Sequence, residues 1–268
     1  MLEIEAANTG KTLVVGHRGA LGHAPENTMA SFEKGLDWGA DLLELDIHMS
    51  RDGELVVMHD GDVSRTTDGH GHIIDMTLAE IKRLDAGRWF DTRFRGQRVP
   101  TLVEVLAWAR GRIPLIIEIK GDTQPATGIE EKLVETLRAH QMLDEVMVTS
   151  FHHPSVRRVK ELEPALVTGI HYTGRLVDTV GAARAALADS VRPRWSYWTA
   201  DLVEEVHAAN LTANTWYPNY DDERIEHLVR LGLDSICTDY PDRLRAYVDR
   251  TGRGWRSSQC MNGSAVGG

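Results

Sequence analysis

Leu42-Leu43-Glu44-Leu45-Asp46-Ile47-His48 alternates from Leu43 onward, apolar against polar, to its last residue. In an extended chain successive side chains point to opposite faces. Leu43, Leu45 and Ile47 therefore share one face, and Glu44, Asp46 and His48 the other. The apolar face suits packing beneath helices, which turns the two carboxylates toward the inside of a sheet closed on itself. Two neighbouring carboxylates away from water repel each other and require positive charge beside them.

Leu115-Ile116-Ile117-Glu118-Ile119-Lys120 is a second apolar run with one acid on an otherwise apolar face before Lys120. Three inward carboxylates from two strands make a hard, oxygen-rich site, which favours Mg²⁺ or Ca²⁺ over zinc. Structural ion pairs with Arg18, Lys120 or other bases are the competing reading. What favours function is position, because each acid lies near the C-terminal end of its strand, where barrel enzymes build their sites.

Working outward, short apolar runs alternate with stretches of helical period. Strands are expected at Thr12–Val15, Leu42–His48, Leu55–Met58, Leu115–Ile119, Val146–Phe151, Leu166–His171, Arg194–Trp198, Thr212–Trp216 and Ser235–Thr238. Helices are expected to begin near Thr28, Thr101, Ile129, Pro154, Val177, Asp201, Asp221 and Pro241. Such alternation argues a parallel sheet with crossover helices. With Leu55–Met58 set aside, eight β-then-α units remain, the count of a (β/α)₈ TIM barrel. A doubly wound open sheet is the competitor that counting leaves standing. Residues 50–100, rich in Asp, Gly and Arg, read as a small inserted subdomain after the second strand. Residues 10–250 form a single catalytic barrel domain in this reading, and residues 251–268 a Gly/Ser-rich disordered tail. No internal repeat is legible.

A chain of 268 residues with 30 Lys+Arg against 40 Asp+Glu carries a formal net charge of −10, which argues against general nucleic-acid binding. Any phosphate-handling site would need local positive charge set against that field. Cys237 and Cys260 are the only cysteines and support no disulfide framework, which fits the cytosol. Met1–Lys11 reads as neither signal nor anchor, and no run reaches the length of a membrane span. A homodimer is left open.

His17-Arg18-Gly19 follows the first strand directly, and His59-Asp60 closes the extra segment Leu55–Met58. Two histidines near a metal suit phosphodiester cleavage, one removing the nucleophile's proton and the other protonating the leaving alkoxide. His70 and His72, flanked by glycines, read as loop residues. His152, His153 and His171 lie at strand ends, with only weak reason to face a ligand. Trp216 at a strand's end could pack on an aliphatic part of a ligand, with core filling equally open. Trp195 and Trp198 read first as packing residues. Thr238-Asp239-Tyr240-Pro241 reads as the end of the last strand and the cap of the last helix.

In order and spacing these residues resemble the glycerophosphodiester phosphodiesterases. The motifs are His17-Arg18-Gly19, Pro25-Glu26-Asn27-Thr28, Glu44-Leu45-Asp46, Asp52-Gly53, His59-Asp60 and Arg65-Thr66-Thr67-Asp68-Gly69. Leu84-Asp85-Ala86-Gly87, Pro100-Thr101-Leu102, Glu118-Ile119-Lys120, Ser150-Phe151 and Thr238-Asp239-Tyr240-Pro241 continue the series. The resemblance implies a TIM barrel and metal-dependent hydrolysis of a small glycerophosphodiester to glycerol 3-phosphate and an alcohol. It implies His17 and His59 as the acid/base pair, with Arg18 on the phosphoryl oxygens. Glu44, Asp46 and Glu118 would hold the divalent cation, and Glu26, Asn27 and Lys120 would line the pocket. It further implies attack by the substrate's own glycerol hydroxyl, through a cyclic intermediate. The chain departs from the family at Trp216-Tyr217-Pro218-Asn219, where Trp-Thr-Val-Asn is common. A lysophospholipase D-like or a sugar or inositol phosphodiesterase on the same barrel is the alternative, with a non-catalytic phosphodiester binder behind it.

Overall fold

A computed structural model describes residues 9–121 and 124–254. In chain order its strands are β1 (Leu13–Gly16), β2 (Leu42–Met49), β3 (Leu55–Val57), β4 (Leu115–Ile119), β5 (Val146–Ser150), β6 (Val167–Tyr172), β7 (Ser190–Pro193), β8 (Thr212–Trp216) and β9 (Ser235–Thr238). All pair in parallel around a ring except β3, which lies antiparallel on β2. Closure is made by β1, which pairs with β2 on one side and β9 on the other. The eight parallel strands and the helices between them form a TIM barrel.

The helices are α1 (Met29–Asp37), α2 (Leu78–Ile81), α3 (Leu102–Ala109), α4 (Ile129–His140), α5 (His153–Leu162), α6 (Thr179–Ala185), α7 (Ala200–Ala208), α8 (Asp222–Arg230) and α9 (Pro241–Arg250). Most start where a short polar side chain satisfies an orphan amide. Thr28, Thr101, Asp178, Thr199 and Asp221 each accept from the first turn, and Thr101 forms a reciprocal box with Glu104. Each such cap contributes about 1 kcal/mol.

Alternation along the strands creates two apolar layers. Leu43, Leu45 and Ile47 of β2 pack outward with Leu102 and Leu106 of α3 and Leu133 of α4. Inside the ring, Leu13, Val15, Leu42, Ile116, Met147, Val167 and Cys237 fill the lower barrel. Between β2 and α3 the chain makes an excursion with a small core of its own, including Val56, Met58, Val63, Ile73, Ile81 and Val99.

At the opposite end from the acids, one device occurs three times. Asp41, Asp189 and Asp234 each precede a strand and accept an amide from the preceding strand of the ring. The amides are those of Val14 at 2.8 Å, Thr168 at 2.8 Å and Ala213 at 2.7 Å. Each acid also binds a base on a helix: Arg245 of α9 at 3.1 Å, Lys160 of α5 at 2.8 Å and His207 of α7 at 2.8 Å. The aspartates clasp strand to strand and strand to helix at once.

Two expectations are corrected. The seventh strand is Ser190–Pro193, whereas Trp195–Tyr197, inside the expected Arg194–Trp198, is a single 3₁₀ turn. Trp198 packs in the outer layer, and Trp195 lies against that layer. Nor does a tail begin at Thr251. The Thr251 hydroxyl donates to Tyr247, the Thr12 amide to the Arg253 carbonyl at 2.8 Å, and Gly254 bridges Thr12. The rest of the expected tail, with Cys260, lies outside the described residues, as does Met1 to Asn8.

Candidate active site

Glu44 and Asp46 enter the barrel from β2 and Glu118 from β4, where Asp46 and Glu118 are register partners. All three are buried, and each offers an oxygen within 4.8 Å of the others. Burial and the neighbouring Asp46 charge raise the Glu44 carboxyl above its ordinary value. Burial pushes Glu118 up to about 7, against the pull of Lys120. Asp46 goes the other way: burial is outweighed by Arg18 and Lys120, which hold it far below the usual carboxylate range. Chiefly through burial, two of these three neighbouring acids have raised proton affinity. The donor set is all carboxylate oxygen, which fits a hard divalent cation. Glu44, Asp46 and Glu118 are the residues that could hold one.

Cations surround the acids. The Arg18 amide donates to Glu44 at 2.9 Å, its Nη1 to Glu26 at 2.7 Å, and its Nε lies 3.4 Å from Asp46. Arg18 adopts φ 48°, and Gly19 follows at φ 93°, where a Cβ would lie 2.5 Å from the Ser31 backbone. Only glycine allows that approach of α1, and the turn is what aims Arg18 at the acids. Glu26 also takes a bidentate pair from Arg65 at 2.8 and 2.9 Å, tying the excursion to the barrel mouth. Asn27, at φ 55°, donates to Asp46 at 2.8 Å. Lys120 Nζ lies 2.7 Å from Glu118, 3.8 Å from Asp46 and 3.2 Å from His59 Nε2.

The two imidazoles are anchored differently. His17 Nδ1 meets Asp239 at 2.5 Å. Burial and Arg18 lower its proton affinity, but Asp239 and Glu44 outweigh them and leave it raised. His59 donates from Nδ1 to Asp60 at 2.6 Å, leaving Nε2 to accept from Lys120. Burial, with Arg18 and Lys120, outweighs Asp46 and keeps His59 lowered, hence neutral near pH 7. His48 fixes this loop by donating to the His59 carbonyl at 3.0 Å.

A family model described as the Glycerophosphoryl diester phosphodiesterase family matches residues 17–243. The chain belongs to that family. A glycerophosphodiester phosphodiesterase of Caldanaerobacter subterraneus subsp. tengcongensis is 39% identical over 243 residues, 90% of this chain and 100% of its own. One of Bacillus subtilis is 34% identical over 251 residues, covering 87% of this chain and 85% of its own. Among solved structures, an Oleispira antarctica phosphodiesterase in complex with the product sn-glycerol-3-phosphate superposes with a TM-score of 0.82 at 29% identity. That match covers 89% of this chain and 97% of the other. The chain is thus a phosphodiester hydrolase of the glycerophosphodiester class.

Within this family member the remaining candidates divide. Trp216 is half-buried and edges onto Phe151 at 5.6 Å and His171 at 5.3 Å, beside the acid cluster. Tyr217, the departure from the family pattern, points the other way. It packs on Trp195 at 5.3 Å and donates to Asp221. His152 and His153 stay at the start of α5, bonded to Ser155 and to the His171 carbonyl. His70 and His72 are exposed loop residues.

Three residues at the site escaped the reading of the sequence. The sequence reads Asp239 as a helix cap, yet α9 has no side-chain cap and Asp239 serves His17 instead. A signal existed, since Asp239 follows β9 as His17 follows β1, and the last strand of a barrel adjoins the first. Arg65 stood only inside a motif. Arg192, fully buried within the ring, gave no signal because its strand was misplaced.

Proposed function

We propose that the enzyme hydrolyses small glycerophosphodiesters, such as glycerophosphocholine, to glycerol 3-phosphate and an alcohol, with His17 and His59 transferring the protons. The carrying observation is the buried Glu44, Asp46 and Glu118 cluster flanked by two acid-anchored imidazoles. The name of the Caldanaerobacter relative and the product bound to the Oleispira enzyme support the substrate class. A divalent cation on these acids, Mg²⁺ or Ca²⁺, supplies Lewis-acid stabilisation of phosphoryl charge.

The chain's own residues do the rest. Arg18, pinned by Glu26, presents a guanidinium to the phosphoryl oxygens, with Lys120 on the opposite side. Neutral His59 accepts the proton of the glyceryl hydroxyl that attacks phosphorus, while Asp60 holds the ring in the required tautomer. Protonated His17 gives its proton to the leaving alkoxide, and Asp239 steadies the imidazolium. Water then opens the resulting cyclic phosphodiester, its proton taken by the now neutral His17. His59 returns its proton to the glyceryl oxygen, which releases glycerol 3-phosphate and restores both rings. Phe151 and Trp216 offer an apolar wall for the glyceryl carbons. The buried free thiol of Cys237 is in keeping with a reducing compartment, and we assign the reaction to the cytosol.

Glycerol 3-phosphate release from glycerophosphocholine is measured with Mg²⁺ or Ca²⁺, after chelation, and in His17→Ala. The expected loss in the variant is about 10²-fold or more. Equal rates in wild type and variant overturn the assignment of His17, and absence of release by the metal-loaded wild type overturns the substrate class.

A further inference from the structure

Arg192 projects from β7 into the ring and is 1% exposed, heading the largest fully buried side chains. It lies beside Gly169 of the neighbouring strand, where a Cβ would stand 3.4 Å from Arg192 Cδ. Yet its Nη1 meets only the Met147 sulfur, at 3.8 Å, and its Nε has no hydrogen-bond partner. Among the described residues it forms no ion pair within 4.0 Å. A guanidinium sealed away from water in this state is costly, because desolvation is offset only by charges farther off. Met147 is in register with Ile116, and Ile116 with Glu44. Arg192 itself is in register with His171, whose Nε2 lies 3.8 Å from Glu118. Burial lowers the proton affinity of Arg192, and the Glu44 and Glu118 charges oppose that.

We propose that Arg192 is a further counter-cation of the Glu44, Asp46 and Glu118 cluster, one that touches none of its acids, a positioning residue whose fixed charge weakens divalent-ion binding and keeps the ion exchangeable. The inference rests on the metal reading above. Arg18 and Lys120 already lie beside the three carboxylates, and a further buried cation within the ring opposes a bound ion in proportion to that ion's charge. Because no contact with ion or substrate is required, the effect acts through space and needs only the charge. Lysine should preserve it, and an uncharged side chain should not.

Ca²⁺ binding by calorimetry and Tb³⁺ binding by luminescence are compared in wild type, Arg192→Met and Arg192→Lys. Methionine matches the sulfur-lined surroundings, and replacing a buried ionic group by an apolar one is often tolerated. Arg192→Gln serves as a second neutral variant should Arg192→Met not fold. A neutral variant is expected to bind Ca²⁺ about tenfold tighter or more, with Arg192→Lys near wild type. The logarithmic gain for Tb³⁺ should be about one and a half times that for Ca²⁺, the ratio of the charges, which a merely structural role would not reproduce. Unchanged dissociation constants in a folded neutral variant overturn this inference alone. A wild type that binds neither ion overturns the metal reading and this inference with it.

Discussion

Asp239 and Asp60 occupy the same nitrogen of two different imidazoles, and the outcome differs because the surroundings differ. His17 sits where Asp239 and Glu44 outweigh burial; His59 sits where burial, Arg18 and Lys120 prevail. If protonated His17 is the acid, activity falls as pH rises through its raised pKa. Asp239→Asn removes the chief partner holding that pKa up, so the alkaline limb of the kcat profile should move to lower pH. kcat itself should fall by about tenfold to a hundredfold. An unmoved limb in a pH–rate series would sink the pairing. At this scale the acids were legible because each interrupts an otherwise apolar strand. Asp239 and Arg192 were not, because each gains its meaning from a neighbour that only ring closure supplies.

Strands β2 and β4 could be read from the sequence because one face of each is Leu, Ile or Met throughout. Strand β7 could not: its inward positions are Ser190 and Arg192, and it ends on Pro193, a residue that argues against a central strand. The helix starts were legible for a local reason, since Thr28, Thr101 and Asp221 act within one turn. The aspartate clasps were invisible, since each reaches a strand or helix some twenty residues or more away. They should matter for stability. Asp234→Ala leaves the buried Ala213 amide unpaired and strips His207 of its partner. Urea unfolding should show a loss of about 1–3 kcal/mol. An unchanged midpoint would deny the clasp a stabilising role.

Across the molecule the net charge of −10 opposes any anionic ligand. Arg18, Arg65 and Lys120 gather at one end of the barrel and offset part of the acid charge there. The overall balance was plain from composition, whereas the concentration of cations at one mouth follows from folding. Among the described residues no helix is long and apolar enough to cross a membrane. Beneath the acids, meanwhile, the ring is filled by Leu13, Val15, Leu42, Ile116, Met147, Val167 and Cys237, all buried. A barrel filled in this way has one doorway and no back exit. What leaves must use the passage that the next molecule needs to enter. Glycerol 3-phosphate should therefore inhibit competitively against the diester in initial-rate measurements, and a purely noncompetitive pattern would mean that the two do not share one threshold.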